Sequence, residues 1–231
     1  MKAAQLSLGK QSHATAERRV EKARRIESVL TLRLGSLASK DVLEIGTGAG
    51  VIAAHLARAS RSLLSVDVVD ERVATGFDFC LVGSERLPCG SETFDVVVSN
   101  HVVEHVDDQL MHLREIRRVM RPSGVCYLAM PNRFALLEPH FRLPLLSWLP
   151  QRLRTPYVRV ARRGRRYDVR PLTYGGLCVL AQRAALAVHD LSTEVAAQAL
   201  RNRIGPRARN ALRQMHAFFP SYVVLLTRSQ S

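Results

Sequence analysis

Short apolar runs alternate with amphipathic stretches along most of this chain, which is the pattern of strands alternating with helices. Runs of strand length predict strands at residues 42–45, 61–66, 78–82, 94–99, 125–130, 187–191 and 221–227. Several runs are apolar at nearly every position, and a strand with that pattern is covered on both faces, as in a parallel sheet. The chain is therefore predicted to be an α/β protein built around one sheet.

Helical spacing of apolar residues predicts the elements between the strands. The first is a lid helix over residues 14–34, with Thr15 as its N-cap and with surface ion pairs such as Glu21 with Arg25. Further helices are predicted at residues 70–75, at 109–120 with Pro122-Ser123-Gly124 as its end, at 173–186 with Thr173 as its cap, and at 193–219 with a break at Gly205-Pro206. A helix or a loop thus connects each strand to the next, as a parallel sheet requires.

The end of the first predicted strand carries an acid and three glycines at alternate positions. Gly46, Gly48 and Gly50 follow Glu44 and lead into a helix. Glycine is needed where φ is positive or where a ligand contacts the main chain, so this turn can hold an adenosine-bearing cofactor. Glu44 is predicted to point its carboxylate into the same pocket. Asp67 ends the second strand about twenty residues further on, where an acid can accept both ribose hydroxyls.

An ordered set of motifs follows, at Leu87-Pro88 and at residues 94–100, 101–106 and 117–124. Through this set, residues 40–132 resemble the class I S-adenosylmethionine-dependent methyltransferases, in particular the ubiquinone-biosynthesis-like (type 11) group, which acts mostly on small molecules and lipids. The resemblance implies a Rossmann-like, doubly wound, mostly parallel seven-stranded sheet, with the last strand antiparallel beside strand five. It implies S-adenosylmethionine as cofactor, and cofactor-binding roles for Glu44, Gly46, Thr47, Gly48, Gly50, Asp67, Val68, Ser84, Glu85 and Asn100.

Two histidines after the fourth predicted strand are the candidates for catalysis. An O-methyl transfer needs a base that takes the hydroxyl proton of the acceptor, and histidine suits that role at neutral pH. His105 is the first candidate, predicted to open a helix with Asp107 and Asp108 near its first turn, and His101 is the second. The alternative is structural, because a histidine at this position can also cap the helix or hydrogen-bond a backbone carbonyl.

Two features complicate this interpretation. Gly83 stands where members of this group commonly have an aspartate that accepts a hydrogen bond from the adenine amino group, which leaves the Ser84 backbone amide to read the adenine. The stretch from His101 to His105 also matches a zinc-peptidase motif, but it directly follows a buried strand, and the methyltransferase order explains it without metal. The four cysteines have no paired spacing, so no metal site and no disulfide framework is predicted.

The length of 231 residues and the hydrophobic content of 47% suffice for one sizeable core. We therefore predict a single methyltransferase domain with four parts: a lid helix (1–40), a cofactor-binding core (41–132), an insertion after strand five (133–172) and the C-terminal half of the sheet (173–231). No stretch approaches the roughly 18 apolar residues of a membrane span, and the N-terminus lacks the apolar core of a signal peptide. These features favour a cytoplasmic location.

Charge is distributed unevenly along the chain, whose formal net charge is +14. Residues 41–131 carry thirteen acidic and eight basic side chains, whereas residues 132–172 carry two acidic and ten basic ones, all arginines. The same insertion contains Trp148 among several leucines, and Glu138 and His140 are predicted to face the substrate opening. Arginines beside apolar groups suit an anionic acceptor or peripheral binding to an acidic membrane surface, and they suit equally a lid whose arginines lie in water.

The sequence thus predicts S-adenosylmethionine-dependent methyl transfer, chiefly O-methylation, to a small-molecule, lipid-linked or glycosyl acceptor. A second class is an RNA or other nucleic-acid methyltransferase or binding protein, which the basic charge favours but the aromatic content of 6% does not. A third is a non-catalytic scaffold of the same fold, favoured by Gly83 and by the shortened helix at residues 70–75. The identity of the acceptor and the oligomeric state stay open.

Overall fold

The computed structural model describes residues 2–83, 86–199 and 219–229. Its strands are β1 (Asp41–Ile45), β2 (Ser62–Asp67), β3 (Asp78–Leu81), β4 (Phe94–Asn100), β5 (Met120–Pro131), β6 (Leu186–Asp190) and β7 (Ser221–Arg228). Within the described ranges they form one seven-stranded sheet in the order β3-β2-β1-β4-β5-β7-β6. Strands β1 to β5 pair in parallel, and β7 is antiparallel to both β5 and β6. The predicted α/β sheet, with its last strand antiparallel beside strand five, is confirmed.

Five helices cover the two faces of this sheet: α1 (Lys2–Leu34), α2 (Val51–Ala57), α3 (Gln109–Val119), α5 (Tyr174–Arg183) and α6 (Ser192–Ala199). Helix α4 (Gln151–Val160) belongs to a separate small cluster. Helices α1, α2 and α6 pack into one apolar cluster, and α3 and α5 pack into another. Val42 belongs to the first cluster and its neighbour Leu43 to the second, because successive side chains of a strand point to opposite faces. The central strands are therefore buried on both faces, as their continuous apolar runs predict.

Side-chain caps explain where two of the helices begin. The Asp108 carboxylate accepts a hydrogen bond from the backbone N–H of Met111 (2.9 Å), and the Thr173 hydroxyl accepts one from Gly176 (3.0 Å). Each bond satisfies an amide that has no partner in the first turn of the helix. The predicted cap at Thr173 is confirmed. His105 lies in a turn before Asp108, so the prediction that it opens α3 is wrong.

Two predictions near the N-terminal half of the sheet are also wrong. Helix α1 begins at Lys2, so Thr15 lies inside the helix and does not cap it. Residues 70–75 form no helix. Instead, the backbone N–H groups of Val73 and Ala74 both donate to the Ala49 carbonyl (3.1 Å each), which folds this loop against the glycine turn.

The connection from α3 to β5 is tighter than predicted. Helix α3 ends at Val119, and Pro122-Ser123-Gly124, predicted to end the helix, lies within β5. The pairing of β4 with β5 shifts register between Phe94 and Val96, which accommodates the early start of β5 as a bulge. A Cβ on Gly124 would lie 3.0 Å from the Asp95 carbonyl, so a side chain does not fit there without a shift. The predicted break at Gly205-Pro206 falls outside the described residues.

The segment between β5 and α5, residues 133–172, is folded rather than open. It contains an isolated bridge between Leu137 and Pro144, a 3₁₀ turn (Leu146–Trp148) and α4. A small apolar cluster of its own holds it together, made of Leu143, Leu146, Val158, Tyr167 and Val169. Arg154 is buried here, and its guanidinium donates to the carbonyls of Leu149 (2.9 Å) and Ser147 (3.0 Å). We call this the β5–α5 segment. The four-part division of the chain stays a prediction.

Candidate active site

A cavity of about 710 Å³ opens at the carboxyl ends of β1, β2 and β4, and we call it the first cavity. The carboxyl ends of neighbouring parallel strands meet at one edge of the sheet, which is where ligands bind in folds of this type. Seven of the predicted cofactor-binding and catalytic residues line it: Gly46, Gly48, Asp67, Val68, Asn100, His101 and His105. The structure therefore brings together most of the predicted cofactor-binding and catalytic residues.

The glycines of the turn after β1 have different surroundings. Gly46 has a φ of +85°, and a Cβ there would lie 2.5 Å from Cγ2 of Val102. Gly48 has a φ of +49°, and a Cβ there would meet no atom of the described residues within 4 Å. Gly50 has a φ of +76° and packs closely, since its Cβ would lie 2.9 Å from the Phe77 ring. Gly48 thus leaves room for a ligand, whereas Gly50 allows the loop after β2 to approach.

Asp67 ties the glycine turn to the end of β2. Its Oδ2 accepts a hydrogen bond from the backbone N–H of Gly48 (2.8 Å), and its Oδ1 accepts one from Val68 (2.7 Å). Each carboxylate oxygen can accept more than one hydrogen bond, so these contacts leave capacity for a ligand in the cavity. Glu71 also lines the first cavity, and sequence reasoning missed it because residues 70–75 are expected to be helical.

Glu44 and Thr47 lie behind the turn. The Ser65 hydroxyl donates to Oε2 of Glu44 (2.7 Å) and is 2.6 Å from the Thr47 hydroxyl. Burial raises the pKa of Glu44 to about 8, and the nearby Asp67 adds to that shift. Glu44 is 1% exposed and is not part of the cavity wall, so the expectation that its carboxylate points into the pocket is wrong in this structure. Ser84 and Glu85 fall outside the described residues.

The residue that follows β4, His101, has an unusual backbone. Its φ is +60°, a backbone conformation that residues other than glycine rarely adopt. Its backbone N–H donates a hydrogen bond to the Ala129 carbonyl of β5 (2.8 Å). Such residues concentrate at functional sites, where the surrounding structure enforces them. Residues 101–105 are not helical, so this stretch lacks the geometry of a helix-borne zinc-peptidase motif.

A second cavity of about 740 Å³ adjoins the first at the end of β4, where Asn100 and His101 line both. Lys22 and Arg25 of α1 form a basic part of its wall, and His140 of the β5–α5 segment contributes an imidazole. Its apolar lining comes from elements far apart in sequence, including Tyr127, Ala129, Val195, Phe219 and Val223. Sequence reasoning missed Lys22 and Arg25 as site residues because the arginine-rich face of α1 is typical of a solvated helix.

Two histidines and two glutamates form a connected cluster beside these cavities. Nδ1 of His101 donates to Oε1 of Glu104 (3.1 Å), and Nε2 of His140 lies 3.5 Å from the same oxygen. On its other side, Nδ1 of His140 is 2.9 Å from Oε1 of Glu138. His140 lines the second cavity, and its predicted place at the substrate opening stays a prediction. Glu138 is 1% exposed and is not on the wall of either cavity, so the prediction that it faces an opening is wrong.

Charge in this cluster is strongly coupled. Burial alone would raise the pKa of Glu104, but the hydrogen bonds from His101 and His140 outweigh it and lower the pKa to about 2. Burial would likewise lower the pKa of His140, but the contacts with Glu104 and Glu138 raise it to about 9. Glu104 is therefore an anion, and His140 carries a positive charge at neutral pH in the absence of other ligands.

Comparison with known proteins agrees with this arrangement. A family model described as "Methyltransferase domain" matches residues 43–128 of this chain. The ubiquinone biosynthesis O-methyltransferase of Parvibaculum lavamentivorans is 30% identical over 125 residues, which are 47% of this chain and 48% of that protein. The chain spans about half the length of the curated relatives it matches.

Solved structures resemble the fold over most of the chain. An S-adenosylmethionine-dependent methyltransferase from Mesorhizobium loti superimposes with a TM-score of 0.63 and 13% identity, covering 87% of this chain and 96% of that one. The cyclase SpnF superimposes with a TM-score of 0.57 and 16% identity, covering 90% of this chain and 81% of its own. Because a cyclase shares it, the fold alone does not determine the reaction, and the site must do so.

Proposed function

We propose that this chain transfers a methyl group from S-adenosylmethionine to a hydroxyl group of a small, partly apolar acceptor. The observation that carries the proposal is the meeting of two cavities at the end of β4, where Asn100 and His101 belong to both walls. A direct transfer needs donor and acceptor in adjoining pockets that align the reacting atoms. The family match supports the donor, and the O-methyltransferase name of the Parvibaculum relative supports oxygen as the accepting atom.

The first cavity fits the cofactor of this family. Gly48 leaves space that a side chain would fill, and Asp67 offers a carboxylate beside it for charge-assisted hydrogen bonds to ribose hydroxyls. We assign binding to Gly46, Gly48, Asp67, Val68 and Asn100, and we assign support of the turn from behind to Glu44, Thr47 and Gly50. When bound, the cofactor supplies an activated methyl group on sulfur, so the chain's part is to hold both partners and to exclude water.

Proton removal from the acceptor is assigned to His105. Its imidazole lines the first cavity, and its ring centroid lies 5.2 Å from that of His140, which lines the second. His101 lies at the junction too, with its ring centroid 6.0 Å from that of His140, but its Nδ1 is held by Glu104. We therefore give His101 a positioning role and keep the role of base for His105.

The acceptor that fits the second cavity is anionic and partly apolar. Lys22 and Arg25 supply positive charge on the α1 side, and Val195 and Val223 are among the residues that supply apolar surface. This combination suits a carboxylate or phosphate carried on an apolar or aromatic body, and it disfavours an uncharged polar acceptor.

Calorimetric titration with S-adenosylhomocysteine tests the cofactor site. The unmodified protein should bind this product, and Asp67→Ala should bind it about 10- to 100-fold more weakly through loss of charge-assisted ribose bonds. Asp70→Ala is the matched control, because Asp70 pairs with Arg72 and is not part of the cavity wall. Failure of the unmodified protein to bind at millimolar ligand would contradict the proposal and favour the scaffold alternative.

We further propose that the protein works in the cytoplasm as a peripheral protein at an acidic membrane surface. Among the described residues, no helix combines the length and apolar composition that a membrane span requires. The β5–α5 segment exposes apolar side chains next to exposed arginines: Leu145, Trp148, Leu153 and Val160 beside Arg162, Arg163, Arg165 and Arg166. Shallow apolar insertion together with basic side chains is the composition of a surface that attaches reversibly to anionic lipid.

A further inference from the structure

Three donor atoms converge where the β5–α5 segment meets the end of β4. His101, Glu104 and His140 each offer one, and these three atoms all lie within 4.8 Å of one another. His101 is on the wall of both cavities, and His140 is on the wall of the second. Two imidazoles and one carboxylate at this spacing are a ligand set that borderline divalent cations use in proteins.

The side chain behind His140 prepares it for such a role. Oε1 of Glu138 lies 2.9 Å from Nδ1 of His140, so this nitrogen keeps its proton. Nε2 is turned toward Glu104, and a cation that binds it displaces the proton that Nε2 carries in the free protein. Glu138 is itself fixed, because its Oε2 accepts from the backbone N–H of Phe141 (2.6 Å) and its backbone N–H donates to Leu143 (3.0 Å). A carboxylate that orients a histidine from behind is a recurrent feature of metal sites.

Glu104 supplies the second, independent observation. Its side chain is 1% exposed, and its Oε2 is buried with no hydrogen-bond partner among the residues that the structure describes. A buried carboxylate oxygen in that state is unfavourable, and natural proteins usually give such atoms a partner. The contacts with His101 and His140 satisfy Oε1 alone. A cation held by both oxygens of Glu104 would supply the partner that Oε2 lacks.

We propose that His101, Glu104 and His140 bind a divalent cation of the Zn²⁺ or Co²⁺ type, with open coordination positions at the junction of the two cavities. Three protein ligands leave room for an oxygen of a small molecule in the second cavity, and an anionic oxygen is the preferred occupant. Binding of the cation needs no cofactor and no acceptor. The inference therefore goes beyond methyl transfer, and neither proposal depends on the other.

Titration of the chelator-treated full chain with Co²⁺ tests the site, with visible absorption and calorimetry as readouts. The unmodified protein should bind one equivalent with a visible band of low-coordinate Co²⁺. Glu104→Gln and His140→Ala should each weaken binding at least 100-fold, and Glu138→Gln should weaken it about 10- to 100-fold by misorienting His140. Circular dichroism without metal checks that the variants are folded, and Glu138→Gln keeps the test valid if Glu104→Gln does not fold.

A matched control comes from another histidine–carboxylate pair. His55 and Glu27 are 2.7 Å apart on α2 and α1 and are not among the three converging ligands, so His55→Ala should bind Co²⁺ like the unmodified protein. The proposal is overturned if the unmodified protein binds no Co²⁺ at millimolar concentration, or if Glu138→Gln and His140→Ala both leave the affinity and the absorption band unchanged. The Co²⁺ titration contains neither cofactor nor acceptor. Its result therefore says nothing about methyl transfer, which the S-adenosylhomocysteine titration tests separately.

Discussion

The two cavities that meet at the end of β4 are built in different ways. The wall of the first comes largely from the ends of β1, β2 and β4 and the turns that follow them, where glycine main chain and Asp67 set its shape. The wall of the second is assembled from α1, β5, the β5–α5 segment, α6 and β7, which span most of the chain. A cavity made by local turns keeps one shape across many proteins, whereas one made by distant side chains can change with each of them.

The core around the first cavity and the β5–α5 segment also differ in their charge. The core around the first cavity holds buried acids, Glu44 among them, and residues 41–131 carry more acidic than basic side chains. The β5–α5 segment exposes most of its arginines, with Arg154 a buried exception. Buried groups respond to pH through their pKa, whereas exposed charges respond to salt through screening. The two regions should therefore be separable by experiment.

The largest expected effect separates cofactor binding from transfer. His105→Ala should leave the affinity for S-adenosylhomocysteine within about threefold but lower the transfer rate about 10²- to 10⁴-fold, the usual contribution of a general base. Transfer of a labelled methyl group to a panel of apolar, anionic phenols provides the measurement, with His189→Ala, a change on β6 away from both cavities, as control. An equal loss of affinity and rate would instead make His105 a structural residue.

The fold could be predicted to the extent that its signals are local. Continuous apolar runs such as β4 and a short polar cap such as Thr173 determine their elements with neighbours in sequence alone. Residues 70–75 have a helical pattern but fold as a loop, because their amides bond to Ala49 across space. The end of α3 also differs from the local pattern, because Met120, two residues before Pro122, already pairs with β4 as part of β5. Tertiary hydrogen bonds override local propensity in both places.

The candidate site likewise contains residues that could be predicted from local sequence signals and residues that could not. Gly46, Gly48 and Asp67 follow a motif whose spacing carries its own meaning, so they could be assigned to one cavity from the sequence. Glu104 and His140 are neighbours through packing of the β5–α5 segment, and no spacing rule links two residues so far apart. The proximity of His101, Glu104 and His140 is therefore visible only in the folded structure.

A smaller effect is expected on the pH dependence of stability, through Glu44 in the core around the first cavity. The pKa of Glu44 is about 8 in the folded chain against 4.5 for a free side chain, so the folded chain keeps a proton that the unfolded chain releases between these values. Stability should therefore fall as pH rises from about 4.5 to about 8, by at most about 5 kcal/mol. Glu44→Gln should remove most of this slope in urea unfolding at pH 5 and pH 8.

The control for this measurement is Glu21→Gln, which removes a carboxylate from an exposed i,i+4 pair on α1. Exposed pairs contribute about 0.2–1 kcal/mol, so the pH slope should barely change. If Glu44→Gln keeps the full slope of the unmodified protein, then Glu44 does not titrate between pH 5 and pH 8. Its burial would then not cause the pH dependence of stability.

The smallest effect concerns the exposed face of the β5–α5 segment. Pro144, Leu145, Leu149, Leu153 and Tyr157 line an apolar groove of about 460 Å³ there, and Trp148 is 46% exposed. An arginine near an anionic leaflet contributes about 1 kcal/mol, so three or four suffice for reversible attachment. The attraction is screened, because the Debye length falls from about 30 Å at 0.01 M salt to about 3 Å at 1 M.

Cosedimentation with phosphatidylglycerol vesicles should therefore recover the unmodified protein at low salt and lose it at high salt, with neutral vesicles recovering little. Changing Arg162, Arg163, Arg165 and Arg166 to serine should weaken the affinity for these vesicles at low salt by up to about 10³-fold, since each arginine contributes about 1 kcal/mol. The matched control changes four exposed arginines of α1 to serine: Arg18, Arg19, Arg24 and Arg33. Both variants lose the same net charge, so equal weakening would mean that total charge alone drives attachment. Unequal weakening, with the α1 variant close to the unmodified protein, would assign membrane contact to the β5–α5 segment, because the two sets differ only in their position.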